Sequence, residues 1–165
     1  QQRSSAASDV YKRQGWGYKS FDRGLVAEFG SAYCVDGMNA LDWGLENLPK
    51  EINTVGIIAY AGEYGDDYAA GVRKAAIANG VTVAWSYVPP VAEFDVAAAL
   101  GLMLTQPVDA VFSGAPLSAG PQIIGGYYQQ TGALPFIFNA APAYNDAFIA
   151  EGFPVRDLYL SLIHI

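Results

Sequence analysis

The sequence predicts an α/β fold: an open parallel sheet with helices on both faces, one Rossmann-like lobe. Three observations carry the prediction. Short apolar runs rich in β-branched and aromatic residues alternate with longer stretches whose apolar residues recur at helical spacing. The alternation persists from residue 36 onward, as a chain of βαβ units requires. Two of the helical stretches run into glycine, at Gly80 and Gly132, the residue that most readily closes a helix in the left-handed conformation.

Taken in order, VDGMNALDWGLENLPK (35–50) spaces Met38, Leu41, Leu45 and Leu48 along one helix face, with Asp36 as N-cap and Pro49 as stop. NTVGIIAY (53–60) reads as a strand covered on both faces. DDYAAGVRKAAIANG follows as a helix that turns Tyr68, Val72, Ala75 and Ala76 to one side. VTVAWSYV (81–88) is the second strand and PPVAEFD a loop. FDVAAALGLMLTQ is a helix entered near Asp95, with Val96, Leu100, Met103 and Leu104 inward. PVDAVFSGA (107–115) is the third strand, and SAGPQIIGGYYQQTG a helix using Ile123, Ile124, Tyr127 and Tyr128. LPFIFNA (134–140) is the fourth strand and PAYNDAFIAEG a last short helix. Parallel pairing of such strands implies right-handed crossovers. Residues 15–32 stand outside the alternation and read as a strand or loop left over from a neighbouring lobe.

The two ends of the chain share an unusual relationship. DVYKRQ (9–14) can be encoded by GAT GTG TAT AAG AGA CAG, whose reverse complement translates as LSLIHI, the sequence of residues 160–165. Two unrelated protein segments are rarely encodable by opposite strands of one element. An inverted DNA tag flanking an insert explains both, and SSAASDVYKRQ (4–14) extends the match to a transposon-type sequencing adapter. Residues 1–14 and 160–165 are therefore read as adapter artefact and set aside from the fold. His164, the only histidine, falls within the tag.

The 165 residues carry 16 acidic against 9 basic side chains, a formal charge of −7, and the set-aside ends hold more base than acid. Such acidity argues against nucleic acid and against an anionic membrane surface as partners. A single cysteine, Cys34, permits no internal disulfide. No run approaches the roughly 18 apolar residues of a membrane span.

Ligands of open parallel sheets bind beyond the carboxyl ends of the strands. Four stretches qualify: AYAGEYGDD, SYVPPVAEFD, SGAPLSAG and NAAPAYND. None carries a dinucleotide fingerprint, a phosphate loop or a nucleophile elbow. Without His164 there is no histidine for a catalytic pair. Cys34 reads as a small packed residue. Asp66 and Asp67 read as helix-capping acids, and Glu93 with Asp95 as a solvated loop and a cap. No catalytic residue, metal or cofactor is expected. Tyr64 stands out as a binding candidate: it is placed at a loop tip between Gly62 and Gly65, where backbone can approach a ligand and a flat ring can close over it.

Residues 54–116, with YYQQTGALPFIFN after them, resemble the second lobe of type I periplasmic binding proteins. More narrowly, they are similar to the branched-chain amino acid (Leu/Ile/Val-type) substrate-binding proteins of ABC transporters. EYGDDYAAGVRKAAIANG matches the family's tyrosine–glycine loop and helix, AEFDVAAAL its next helix entry, PVDAVFSGA its third strand. The cover runs over 33–152, with 15–32 as a remnant of the first lobe or hinge and 153–159 as the start of the return toward the hinge. The resemblance implies a two-lobed, hinged, periplasmic or extracellular protein that binds a small-molecule ligand and delivers it to ABC transporter permease subunits. It maps the family's first-loop aromatic onto Tyr64. Where the family places a second aromatic, this chain has Ala115 and Pro116; near the family's ammonium-binding acid it has Ala140 and Ala141, with Asn139 and Tyr144 as alternative contributors. A buried ammonium without a carboxylate is costly, so an amide, an organic acid or another small polar metabolite fits better than an unmodified amino acid. The effector or sensor domain of a transcription regulator or receptor shares this fold, and a flavodoxin- or Rossmann-like enzyme is the remaining alternative.

Overall fold

A computed structural model describes residues 32–140 and, for 159–161, the backbone. Helix α1 (Tyr33–Asn47) leads into β1 (Thr54–Ala59), α2 (Glu63–Asn79), β2 (Thr82–Tyr87), a short 3-10 turn (Val91–Glu93), α3 (Val96–Thr105), β3 (Ala110–Gly114), α4 (Ala119–Thr131), β4 (Phe136–Asn139) and β5 (Tyr159–Ser161). The strands form one sheet in the order β2-β1-β3-β4-β5, and every pairing is parallel. The expected open parallel sheet with helices on both faces is what the chain forms. The short helix expected after β4 lies outside the described residues.

Side-chain alternation along the strands divides the interior into two cores. Ile57, Phe112 and Phe138 face α1 and α2, where they join Leu41, Tyr68 and Val72. Ile58, Val111 and Ile137 face the other way, against Met103 of α3 and Ile123 and Ile124 of α4. Phe112 and Phe138 stack at 4.8 Å with their planes 4° apart, a contact worth about 0.5–1.5 kcal/mol beyond its buried area. Helices α1 and α2 cross closely because the crossing is made by glycine: a Cβ on Gly71 would run into the Cys34 carbonyl, and one on Gly37 would meet the Tyr68 carbonyl. No helix among the described residues is long and apolar enough to cross a membrane.

Several element boundaries differ from expectation, for local reasons. Asp36 does not cap α1; the helix begins at Tyr33, with Ala32 at the N-cap and Asp36 inside the first turn. Its end is as expected: Leu48 is extended (φ −82°, ψ 146°) because a residue before proline avoids the helical region. Helix α2 starts at Glu63, three residues earlier than its acidic pair, and the Asp66 carboxylate reaches back to accept the Gly62 N–H at 3.0 Å. On α3, Asp95 caps through the Ala97 N–H (2.7 Å), but Leu102 rather than Leu104 joins the core beside Met103. Gly80 and Gly132 close α2 and α4 at φ 71° and 70°. Strand β5 was not expected at all. Leu160 and Ser161, assigned to the terminal tag, pair with Phe138 and Asn139; a short apolar run satisfies the open ladder that β4 presents.

At the amino end of the sheet one carboxylate ties β1 to β3. Asp109 accepts the N–H of Asn53 (3.1 Å), the N–H of Thr54 (3.0 Å) and the Thr54 hydroxyl (2.9 Å), and pairs with Lys50 at 3.2 Å. On the opposite flank β2 is the outermost strand, with Thr82, Ala84 and Ser86 exposed. Arg73 of α2 donates to the Ser86 hydroxyl at 2.6 Å across it.

Candidate functional site

The strand order reverses between β1 and β3: β1 continues through α2 to β2 on one side, β3 through α4 to β4 on the other. The carboxyl ends of these two strands therefore flank a crevice that no crossover among the described residues covers, the position where doubly wound sheets bind ligands.

Tyr64 belongs to this crevice, though not as a loop-tip residue. It is the second residue of α2. Two features set the helix start there. Gly62 has φ 134°, a conformation other residues rarely adopt, and Gly65 lets the first turn settle on the Tyr60 carbonyl, which a Cβ would strike. The Tyr64 ring meets Tyr33 edge-on (4.6 Å, 81°) and Tyr60 at a tilt (5.3 Å, 46°). Its hydroxyl is buried with no hydrogen-bond partner among the described residues, and it lies over Gly114, where a Cβ would come within 3.3 Å. Burial, and then the neighbouring Tyr60, Tyr33 and Asp36, push its ionisation far above the usual phenol range. The ring is thus a neutral group able to donate or accept one hydrogen bond.

Asn139 ends β4 and is fully buried (0% exposed), yet neither its carboxamide oxygen nor its nitrogen has a partner among the described residues. It pairs in register with Ser113, the next-to-last residue of β3. Both lie two residues beyond Val111 and Ile137 and so share the α3–α4 face. Ser113 lines a water-sized hollow together with Ile58, Met103 and Ile137. Tyr64, by contrast, stands on the α1–α2 face, packed against the core of that side.

The other expected residues are placed differently. Ala115 is buried in the α3–α4 core (2% exposed). Pro116 is half-buried, and its carbonyl accepts the N–H groups of Ala119 (2.8 Å) and Gly120 (3.2 Å), so it starts α4. Gly62 is exposed and Gly65 buried beneath the first turn. Tyr144 lies outside the described residues. Four neighbours were not anticipated: Tyr33, Tyr60, Ser113 and Gly114. The four-residue spacing of Tyr64 and Tyr68 carried a signal for two rings on one helical face, whereas Tyr60 stands before the helix, just past the end of β1. Ser113 and Gly114 had none beyond their place at a strand end.

Electrostatically, the start of α2 is filled by the chain's own acid. Glu63 and Asp66 occupy its first turn, and Asp66 holds the Gly62 N–H; a second anion is disfavoured there. Cys34 is buried at 2% exposure with the Lys74 ammonium 3.6 Å from its sulfur. Among the described residues no group of three His, Cys, Asp or Glu side chains is placed to hold a metal ion.

No family model matches the chain, and no curated protein matches it. Solved structures do. A fatty acid ABC transporter substrate-binding protein from Thermomonospora curvata superposes with a TM-score of 0.68 at 20% identity, over 83% of this chain and 36% of that one. A structure assigned to a branched-chain amino acid ABC transporter from Rhodospirillum rubrum gives 0.66 at 15% identity, over 79% of this chain and 36% of that one. A solute-binding protein of an ABC transporter from Rhodopseudomonas palustris BisB5, in complex with 3,4-dihydroxybenzoic acid, gives 0.57 at 19% identity, over 69% and 31%. The chain has the lobe fold of these ABC transporter proteins and spans about a third of their length.

Proposed function

We propose that the chain is the second lobe, residues 33–152, of an extracytoplasmic solute-binding protein. In this reading it binds a small polar metabolite in an interlobe cleft, does no chemistry on it, and presents it to the permease subunits of an ABC transporter. The observation that carries the proposal is the position of Tyr64, an aromatic side chain with a buried, partnerless hydroxyl at the reversal of strand order. Support comes from solved structures of like fold, among them a substrate-binding and a solute-binding protein of ABC transporters. A ring wall of Tyr33, Tyr60 and Tyr64 suits a ligand with a flat or apolar body and a few polar groups, such as an amide or an organic acid. Residues 1–14 and 160–165 remain in this reading the trace of a sequencing adapter.

Recovery of the genomic DNA on either side of codons 15 and 159 tests the proposal. The expected result is a first lobe behind an export signal upstream and permease genes nearby. A DNA-binding helix-turn-helix or a receptor's membrane span in that position overturns it in favour of an effector or sensor domain. Coding sequence that runs on unchanged through DVYKRQ and LSLIHI overturns the adapter reading and restores His164 to the protein.

A further inference from the structure

Folded proteins rarely bury a polar side chain without giving it a partner, because the desolvation goes uncompensated. Apart from tyrosine hydroxyls, the polar side chains buried among the described residues are Ser113 and Asn139, and they are register partners at the crevice end of adjacent strands. Ser113 has a weak internal bond, its hydroxyl accepting the Ala115 N–H at 3.5 Å. Asn139 has none for either polar atom. A carboxamide in that position offers one acceptor and two donors at once, and it carries no charge.

We propose that Asn139 is a specificity-determining residue, whose carboxamide takes a neutral ligand group that both donates and accepts a hydrogen bond, a hydroxyl or a primary amide. The inference rests on the binding-protein reading and deepens it. An ammonium matches only the oxygen of the carboxamide, and leaves the NH2 facing a donor. A carboxylate matches only the nitrogen. A hydroxyl or amide engages both ends, and Ser113 stands beside it as a second hydroxyl. This side of the site thereby discriminates by hydrogen-bond pairing, where a missing partner is penalised more heavily than a missing methylene.

The test has a ligand-free arm and a binding arm. In the ligand-free chain, Asn139→Leu keeps the branching of the side chain and removes the unsatisfied amide, and Asn139→Ala removes it without adding bulk. The expected result is a Tm raised by about 3 °C for at least one of the two. A Tm several degrees lower for both means that internal water or backbone satisfies the amide, and overturns the inference. In the binding arm the probes are 3,4-dihydroxybenzoate, benzoate, leucine and leucinamide, read by thermal shift on the complete protein. Hydroxyl- or amide-bearing probes should bind the wild type at least tenfold more tightly than their counterparts, and Asn139→Leu should erase that ratio. An undiminished ratio in Asn139→Leu overturns the inference while leaving the binding-protein reading intact. No shift with any probe in the wild type overturns the ligand role of Asn139 together with the reading it rests on.

Discussion

The hydroxyl of Tyr64 rests over the Cα of Gly114, so that a methyl group at position 114 would lie 3.3 Å from it. That spacing is tighter than ordinary contact, and the same methyl would sit 3.4 Å from the side chains of Ala59 and Tyr68. Gly114→Ala should therefore displace the Tyr64 ring by a few tenths of an ångström and cost about 1 kcal/mol in stability. Gly114→Val should drive the ring out of the crevice and abolish ligand binding. Chemical denaturation and thermal shift of the two variants check this. A valine variant that binds as well as the wild type removes Tyr64 from the site.

Burial opposes ionisation of Asp109, but the Thr54 hydroxyl, the backbone N–H groups of Asn53 and Thr54 and the Lys50 ammonium outweigh it, and its pKa falls below the ordinary 3.8. A lowered pKa means that the carboxylate's stabilisation is complete above pH 3.8 and drains away as the pH falls through the lower folded-state value. Asp109→Asn should cost about 1 kcal/mol near neutrality, a modest figure because the pair is largely solvated. The gap between variant and wild type should narrow on acidification below pH 3.8. Denaturation midpoints measured from pH 2 to pH 7 report it; a gap that widens in acid contradicts the assignment.

Tyr64 and Tyr68 behave in the opposite sense. Burial raises both above the phenol value of 10.0, so the folded state resists deprotonation while the unfolded chain does not. Their contribution is complete below pH 10 and is lost as the pH climbs beyond it. Absorbance at the phenolate band should show Tyr64 and Tyr68 ionising only together with loss of the far-ultraviolet helix signal. Tyr64→Phe should remove one tyrosine from that delayed class and leave stability at neutral pH unchanged or slightly higher.

Two helical glycines should respond to alanine with opposite signs. At Gly71 the new methyl would collide with the Cys34 backbone, an atom that cannot yield without moving α1. Gly71→Ala should destabilise by about 3 kcal/mol or more. At Gly101, inside α3, a methyl meets nothing within 4 Å, and the gain in helix propensity should stabilise by about 0.5–1 kcal/mol. Denaturant midpoints of the two variants give the comparison directly.

The order of strands and helices was legible because burial leaves a periodic trace, and because Pro49, Gly80, Asp95 and Gly132 punctuate the chain by mechanisms that do not depend on tertiary context. The start of α2 was less so. Asp66 looked like the cap, whereas it acts from within the helix by reaching back to Gly62, which moves Tyr64 from a loop into the first turn. Leu104 and Leu102 compete for one core position on α3, and periodicity in so uniformly apolar a helix does not choose between them. The partnerless state of Asn139 could not be read at all, since it depends on what two strands and a helix fail to offer. The turn through Gly62 and Gly65 could be read, because glycines there constrain the backbone around a strand end.

Among the described residues nothing pairs with the outer side of β2, and an open edge of this kind is the usual starting point for sheet-to-sheet aggregation. Arg73 leans its guanidinium over that strand to Ser86. A second molecule adding a strand there would have to strip water from a cation or push it aside. One surface arginine thus sets a charge on the exposed edge of the sheet, at the flank farthest from the crevice side of β4.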